Sequence, residues 1–109
     1  MAVDIKQLFD SEVGERLARH PGASKPSARY QFVITGEGDG QWLIDTKGSE
    51  PKAEHGRPGG ADVTITVSAE DFERLYDRPE YSQQLFFVGK LKTVGDPMLA
   101  MKAFSLLKD

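Results

Sequence analysis

Apolar positions recur at helical spacing at the start of the chain. Ile5, Leu8, Phe9, Val13 and Leu17 predict a helix over residues 4–20, either whole or broken in two near Gly14. Residues 21–27 (Pro-Gly-Ala-Ser-Lys-Pro-Ser) have turn and loop composition. The period then changes to two. Tyr30, Phe32 and Ile34 share one face of a strand over residues 29–35. A second strand, residues 41–46, carries Trp42 and Ile44, and Asp39-Gly40 between the two predicts an antiparallel hairpin. The next stretch is mostly loop. A short edge strand is expected near Lys52–His55, where Pro51 suits an edge position. Val63, Ile65 and Val67 alternate with Thr64 and Thr66, so this strand has one dry face and one that can be wet.

Ser68 and Asp71 form a capping box that opens a short helix holding Phe72, Leu75 and Tyr76. The Asp77-Arg78-Pro79-Glu80 segment breaks it, and residues 81–88 predict a second short helix that stops at Gly89. Residues 90–94 form a last strand. Asp96 then caps a final helix that begins at Pro97. At about 100° per residue, Leu99, Ala100, Met101, Ala103, Phe104, Leu106 and Leu107 sweep more than half of its circumference. That arc is wider than a single sheet contact requires.

Composition narrows the partners. The 109 residues fit one domain, residues 1–109, and 39% apolar with 28% charged residues is an ordinary globular mixture. A net charge of −3 argues against nucleic acid, which needs a basic face. The absence of cysteine excludes disulfides and thiolate chemistry. No run approaches the ~18 apolar residues of a membrane span. The first ten residues lack a basic region and an apolar signal core, so a cytoplasmic location is expected.

Candidate chemistry is sparse. Gly36, Gly38 and Gly40 suggest a phosphate loop, but a strand follows where such a loop needs a helix. His20 and His55 each lie beside Pro or Gly, without the paired spacing of a metal site. They read as solvated loop histidines. Glu37, Asp39, Asp45, Asp62 and Asp71 fall at turns, caps or outward strand positions, none within an apolar run that would tune it for proton transfer. No catalytic residue, metal or cofactor is expected, and the chain does not read as an enzyme. What remains is apolar shape. Phe86, Phe87, Met98, Met101 and Phe104 suit ordinary core, and methionine also suits a surface that repacks around varied ligands. Lys90 and Lys92 flank Leu91 as a solvated edge, with weak attraction to anionic headgroups as the functional alternative.

These residues resemble the sterol carrier protein type 2 domain family. The resemblance is carried by Ala61, Asp62, Thr64, Ile65 and Thr66, then by Gly89, Lys90, Leu91 and Lys92. Gly95, Asp96, Leu99, Ala100, Met101 and Lys102 complete it, and the hairpin with Trp42 and Asp45 also looks like the family's first one. The similarity covers about residues 9–108. Pro97-Met98 stands where the family has a Met-Gly pair. Thr93-Val94 carries its apolar residue one position late, which in a strand changes the face.

The resemblance implies an α+β fold: a single-layer, mixed five-stranded sheet covered on one side by helices, with an apolar tunnel between them. It further implies non-catalytic carriage of a fatty acid, fatty acyl-CoA, phospholipid or sterol, with transient contact at a membrane surface. The expected tunnel wall is Phe32, Ile34, Trp42 and Ile44 from the hairpin, Val63, Ile65 and Val67 from the clean strand, and Phe72, Leu75, Phe87, Met101, Phe104 and Leu107 from the helices. Some of these must be core, and the sequence does not divide them. The alternative is a protein-interaction or dimerisation module with a collapsed cavity. The sequence leaves the ligand and the oligomeric state open.

Overall fold

The computed structural model describes residues 4–19, 27–36, 40–47, 51–78, 80–103 and 106, without the side chains of Ser82 and Met101. The first helical stretch runs without a break at Gly14. It consists of α1 (Ile5–Gln7), a π turn (Leu8–Glu12) and α2 (Val13–Arg19). Asp4 starts it, its carboxylate accepting the Gln7 N–H at 3.0 Å. The irregularity falls one turn before Gly14, where the Val13 N–H reaches back to the Leu8 carbonyl. That wider turn holds one extra residue. Adjacent Leu8 and Phe9 are both buried there, together with Val13 and Leu17.

Five strands form one mixed sheet: β1 (Arg29–Thr35), β2 (Gly40–Asp45), β3 (Lys52–His55), β4 (Val63–Ser68) and β5 (Leu91–Gly95). Their order is β3-β2-β1-β4-β5. β1 and β2 pair antiparallel with Phe32 opposite Trp42, as the expected hairpin requires. β4 lies parallel to β1, with Tyr30 opposite Val63 and Phe32 opposite Ile65. β5 closes the far edge, antiparallel to β4. Alternation then puts Tyr30, Phe32, Ile34, Trp42, Ile44, Val63, Ile65 and Val67 on one face, all of them buried.

The helices pack on that face. α3 (Ala69–Asp77) opens at the expected capping box, with the Asp71 N–H donating to Ser68 Oγ at 3.1 Å. α4 (Tyr81–Phe87) and α5 (Pro97–Ala103) complete the layer. Phe72, Leu75, Leu85, Ala103 and Leu106 join the same core as the sheet residues and the N-terminal helix.

The opposite face of the sheet is less wet than alternation alone implies. Gln31 and Leu43, paired across β1 and β2, are fully buried. The connection from β3 to β4 passes over β2 and β1, since those strands lie between its two ends. The Gln31 amide donates to the Gly56 carbonyl at 3.1 Å, and Gly60 lies against the Arg29 guanidinium. The segment therefore crosses the face that carries Arg29 and Gln31.

Candidate functional site

The helix-facing side of the sheet and its helical cover form the apolar interior of the fold. Phe9 is central to one end of it. Its ring stacks on Trp42, with centroids 4.9 Å apart and planes 10° from parallel. It also meets Phe32 at 5.1 Å and Phe72 at 5.6 Å, both tilted. Trp42 carries one polar atom, Nε1, which donates to Asp10 Oδ1 at 2.9 Å. The π turn thus supplies both the ring that stacks on the indole and the carboxylate that satisfies it. Gly40 completes the setting, because a Cβ there would run into the Trp42 ring.

The structure gathers Phe32, Ile34, Trp42, Ile44, Val63, Ile65, Val67, Phe72 and Leu75 of the expected wall into one buried cluster. Phe9, Tyr30 and Leu8 belong to the same cluster but were not on the expected wall. Tyr30 was legible, since it alternates with Phe32 and Ile34. Phe87 departs from the expectation, for its side chain is 85% exposed. On a helix of seven residues at about 100° per residue, only part of the circumference faces the sheet. Leu85 takes that inward position and is buried. The Met101 side chain, Phe104 and Leu107 lie outside the described residues, as does His20. Val94 is exposed on the face it shares with Lys92, as its shifted position implied.

A depression of about 530 Å³ lies at the end of the first hairpin and reaches Ile34 of the helix-facing side. It is lined by the end of the first hairpin and the start of the crossover, including Val33, Gln41, His55 and Arg57. His55 ends β3 rather than sitting in a loop. It is exposed and meets Trp42 edge-on at 5.5 Å.

Charge is confined to the margins. The Asp62 carboxylate accepts the Arg29 N–H at 3.0 Å and pairs with Lys47 at 3.0 Å. The Arg29 bond first, and then Lys47, hold it below the ordinary value of 3.8. Burial pushes the Tyr30 phenol above 10.0, assisted by the negative charges of Asp62 and Asp96. Burial does the same for Tyr76, with Glu12 contributing. Among the described residues no cluster of histidine, aspartate and glutamate is arranged to hold a metal ion.

The sequence model of the SCP-2 sterol transfer family matches residues 5–108. This chain belongs to that family. The fold agrees with solved members at moderate identity. Sterol carrier protein 2 from Yarrowia lipolytica, in its apo form, superposes with a TM-score of 0.70 at 27% identity, covering 96% of this chain and 84% of that one. Palmitated SCP2L2 from Aedes aegypti gives 0.66 at 25% identity, covering 100% and 96%. Among curated relatives, hydroxysteroid dehydrogenase-like protein 2 of Rattus norvegicus is 37% identical over 81 residues, or 73% of this chain and 16% of that protein. Peroxisomal multifunctional enzyme type 2 of Mus musculus is 36% identical over 107 residues, or 94% and 15%. The chain spans less than a quarter of the length of these relatives. The sterol-carrier domain is thus a small part of each. The mixed sheet and one-sided helical cover are those expected of the family. No described helix is long and apolar enough to cross a membrane.

Proposed function

We propose that this sterol-carrier domain binds and carries lipid without catalysis. The ligand is a fatty acid, fatty acyl-CoA, phospholipid or sterol. It lies in an apolar tunnel between the sheet and α5, and exchanges by transient contact with a membrane. The observation that carries this reading is the almost unbroken apolar face of the sheet, from Trp42 on β2 to Val67 on β4, under helices that bring further apolar side chains. The ionisable groups with altered titration are surface pairs or tyrosines, not carboxylates or histidines set for proton transfer.

The driving force is burial. Transfer of ~300 Å² of ligand hydrocarbon at ~25 cal/mol per Å² gains roughly 7 kcal/mol before ordering costs. The wall consists of the sheet residues Phe32, Ile34, Trp42, Ile44, Val63, Ile65 and Val67 with Phe72 and Leu75, joined by Met101, Phe104 and Leu107 toward the C-terminal end of the sequence.

Mass spectrometry of organic extracts from the purified protein tests this directly. Co-purifying lipid is expected. A tight dimer without lipid would instead favour an interaction module. Met101→Asp or Phe104→Asp should abolish binding of a fluorescent fatty acid while the protein stays folded. A folded variant that binds normally would remove this helix from the wall. The proposal includes a cytoplasmic site of action. Accumulation of the tagged protein in an organelle would overturn that part alone.

A further inference from the structure

The turn between α4 and β5 is anchored on both sides by buried leucines, Leu85 and Leu91. The residues between them project. Phe86 is 53% exposed, Phe87 85% and Val88 62%, and Lys90 is also exposed. The turn is well closed. The Val88 N–H bonds the Gln84 carbonyl at 3.2 Å, Gly89 bonds Phe86 at 3.1 Å and Lys90 bonds Leu85 at 2.9 Å. Gly89 adopts φ 78°, a left-handed helix end that suits glycine. The apolar side chains therefore stand on a fixed turn.

Charge along this segment is one-sided. Residues 81–95 contain Lys90 and Lys92 and no acidic residue, in a chain whose net charge is −3. Lys92 is exposed as well, and neither lysine joins an ion pair among the described residues.

We propose that this tip is a docking element for an anionic phospholipid bilayer. Consecutive helical positions point about 100° apart, so Phe86, Phe87 and Val88 splay around the helix end. The Phe86 and Phe87 rings stand at 73° to each other. A flat, rigid protein partner would cover only part of such a projection. The fluid zone beneath lipid headgroups wets it from every side. Lys90, within the turn, and Lys92, on the outer face of β5 two residues on, place their ammonium groups among phosphate or carboxylate headgroups. Because the whole chain is acidic, the attraction is local and orients the domain with this turn toward the membrane. The inference builds on the membrane contact that carriage requires, and it names the surface and the lipid charge involved.

The test uses the full chain and vesicles of phosphatidylcholine alone or mixed equally with phosphatidylserine, at low salt, read by co-sedimentation. Wild type should bind the mixed vesicles, bind pure phosphatidylcholine weakly and release with salt. Each lysine near an anionic surface contributes about a fivefold gain in partition, so Lys90→Glu with Lys92→Glu should lose at least about 25-fold. Phe87→Ser should lose a comparable amount. If Phe87→Ser fails to fold, Val88→Ser and the lysine reversals supply the same readout. Binding of a fluorescent fatty acid should stay intact in all of them. Unchanged vesicle binding in these variants, or no binding by wild type, would overturn the proposal. So would a dimer, seen by sedimentation velocity, that Phe87→Ser dissolves. Loss of fatty-acid binding in wild type would count against carriage and leave the docking result standing.

Discussion

Two groups of phenylalanines in this chain have opposite fates. Phe9, Phe32 and Phe72 are sealed between the N-terminal helix, the sheet and α3, while Phe86 and Phe87 stand in solvent at the end of α4. Residue type is the same, and both groups sit on or beside short elements. What differs is opposition. Phe9 has an aromatic ring on several sides, and the polar atom of its neighbour Trp42 is satisfied by Asp10. The α4–β5 turn buries side chains at its two ends, Leu85 and Leu91, and nothing in the described structure covers the rings between. The first group stabilises the fold. The second is available for something outside it.

This contrast can be broken most strongly at Phe9. Phe9→Ala should cost about 4 kcal/mol, a large part of a small domain's stability, and lower the denaturant midpoint accordingly. Gly95→Ala comes next. A Cβ there would meet the Asp62 carbonyl, on a backbone at φ 111°. A loss of about 3 kcal/mol is expected, with the β4–β5 amides exchanging faster. Asp10→Ala leaves the indole N–H without its acceptor. It should cost about 1–2 kcal/mol and shift the tryptophan emission. Phe87→Ser should change the melting transition least, within about 0.5 kcal/mol, since it removes no buried surface. His55→Ala should likewise leave fatty-acid affinity within about 1 kcal/mol. A melting loss at Phe87 as large as that at Phe9 would erase the distinction.

Acid sharpens the comparison along a different axis. The folded Asp62 carboxyl titrates below its ordinary value, so the folded state binds its proton less readily than the unfolded chain does. Its stabilising contribution is present above the ordinary carboxylate value and is lost as pH falls through the depressed folded value. Asp62→Asn should therefore lower stability at neutral pH and make the acid limb of the stability curve shallower. Tyr30 acts in the opposite sense. Its raised value gives a contribution that is full below the usual tyrosine range and is lost as pH rises through the folded value.

Much of this was legible in the sequence. Period-two alternation identified the helix-facing residues of β1, β2 and β4, because each of these strands has a dry face. The capping pair Ser68 and Asp71 placed the start of α3. Val94, shifted by one position, fell on the outer face as strand geometry requires. Other features depend on what lies opposite. Gln31 is covered by a connection that begins more than ten residues away, and no local pattern shows which loop will cross which strand. Phe87 looked like wall because its residue type suits one. Its direction depends on how far α4 has turned by its last residue, which is set by the anchors at Leu85 and Leu91.

The crossover that buries Gln31 also bears on the order in which the chain assembles. The hairpin of β1 and β2 closes across a short turn, so its contacts form at small entropic cost. β4 must reach β1 across a much longer loop, and the Arg29 amide meets the Asp62 carboxylate 33 residues further along the chain. Pairings of that range are slow, because loop-closure entropy is lost before the contacts compensate. The parallel β1–β4 ladder is therefore expected to form after the hairpin. The Asp62 contacts with Arg29 and Lys47 act as the latch that marks its completion.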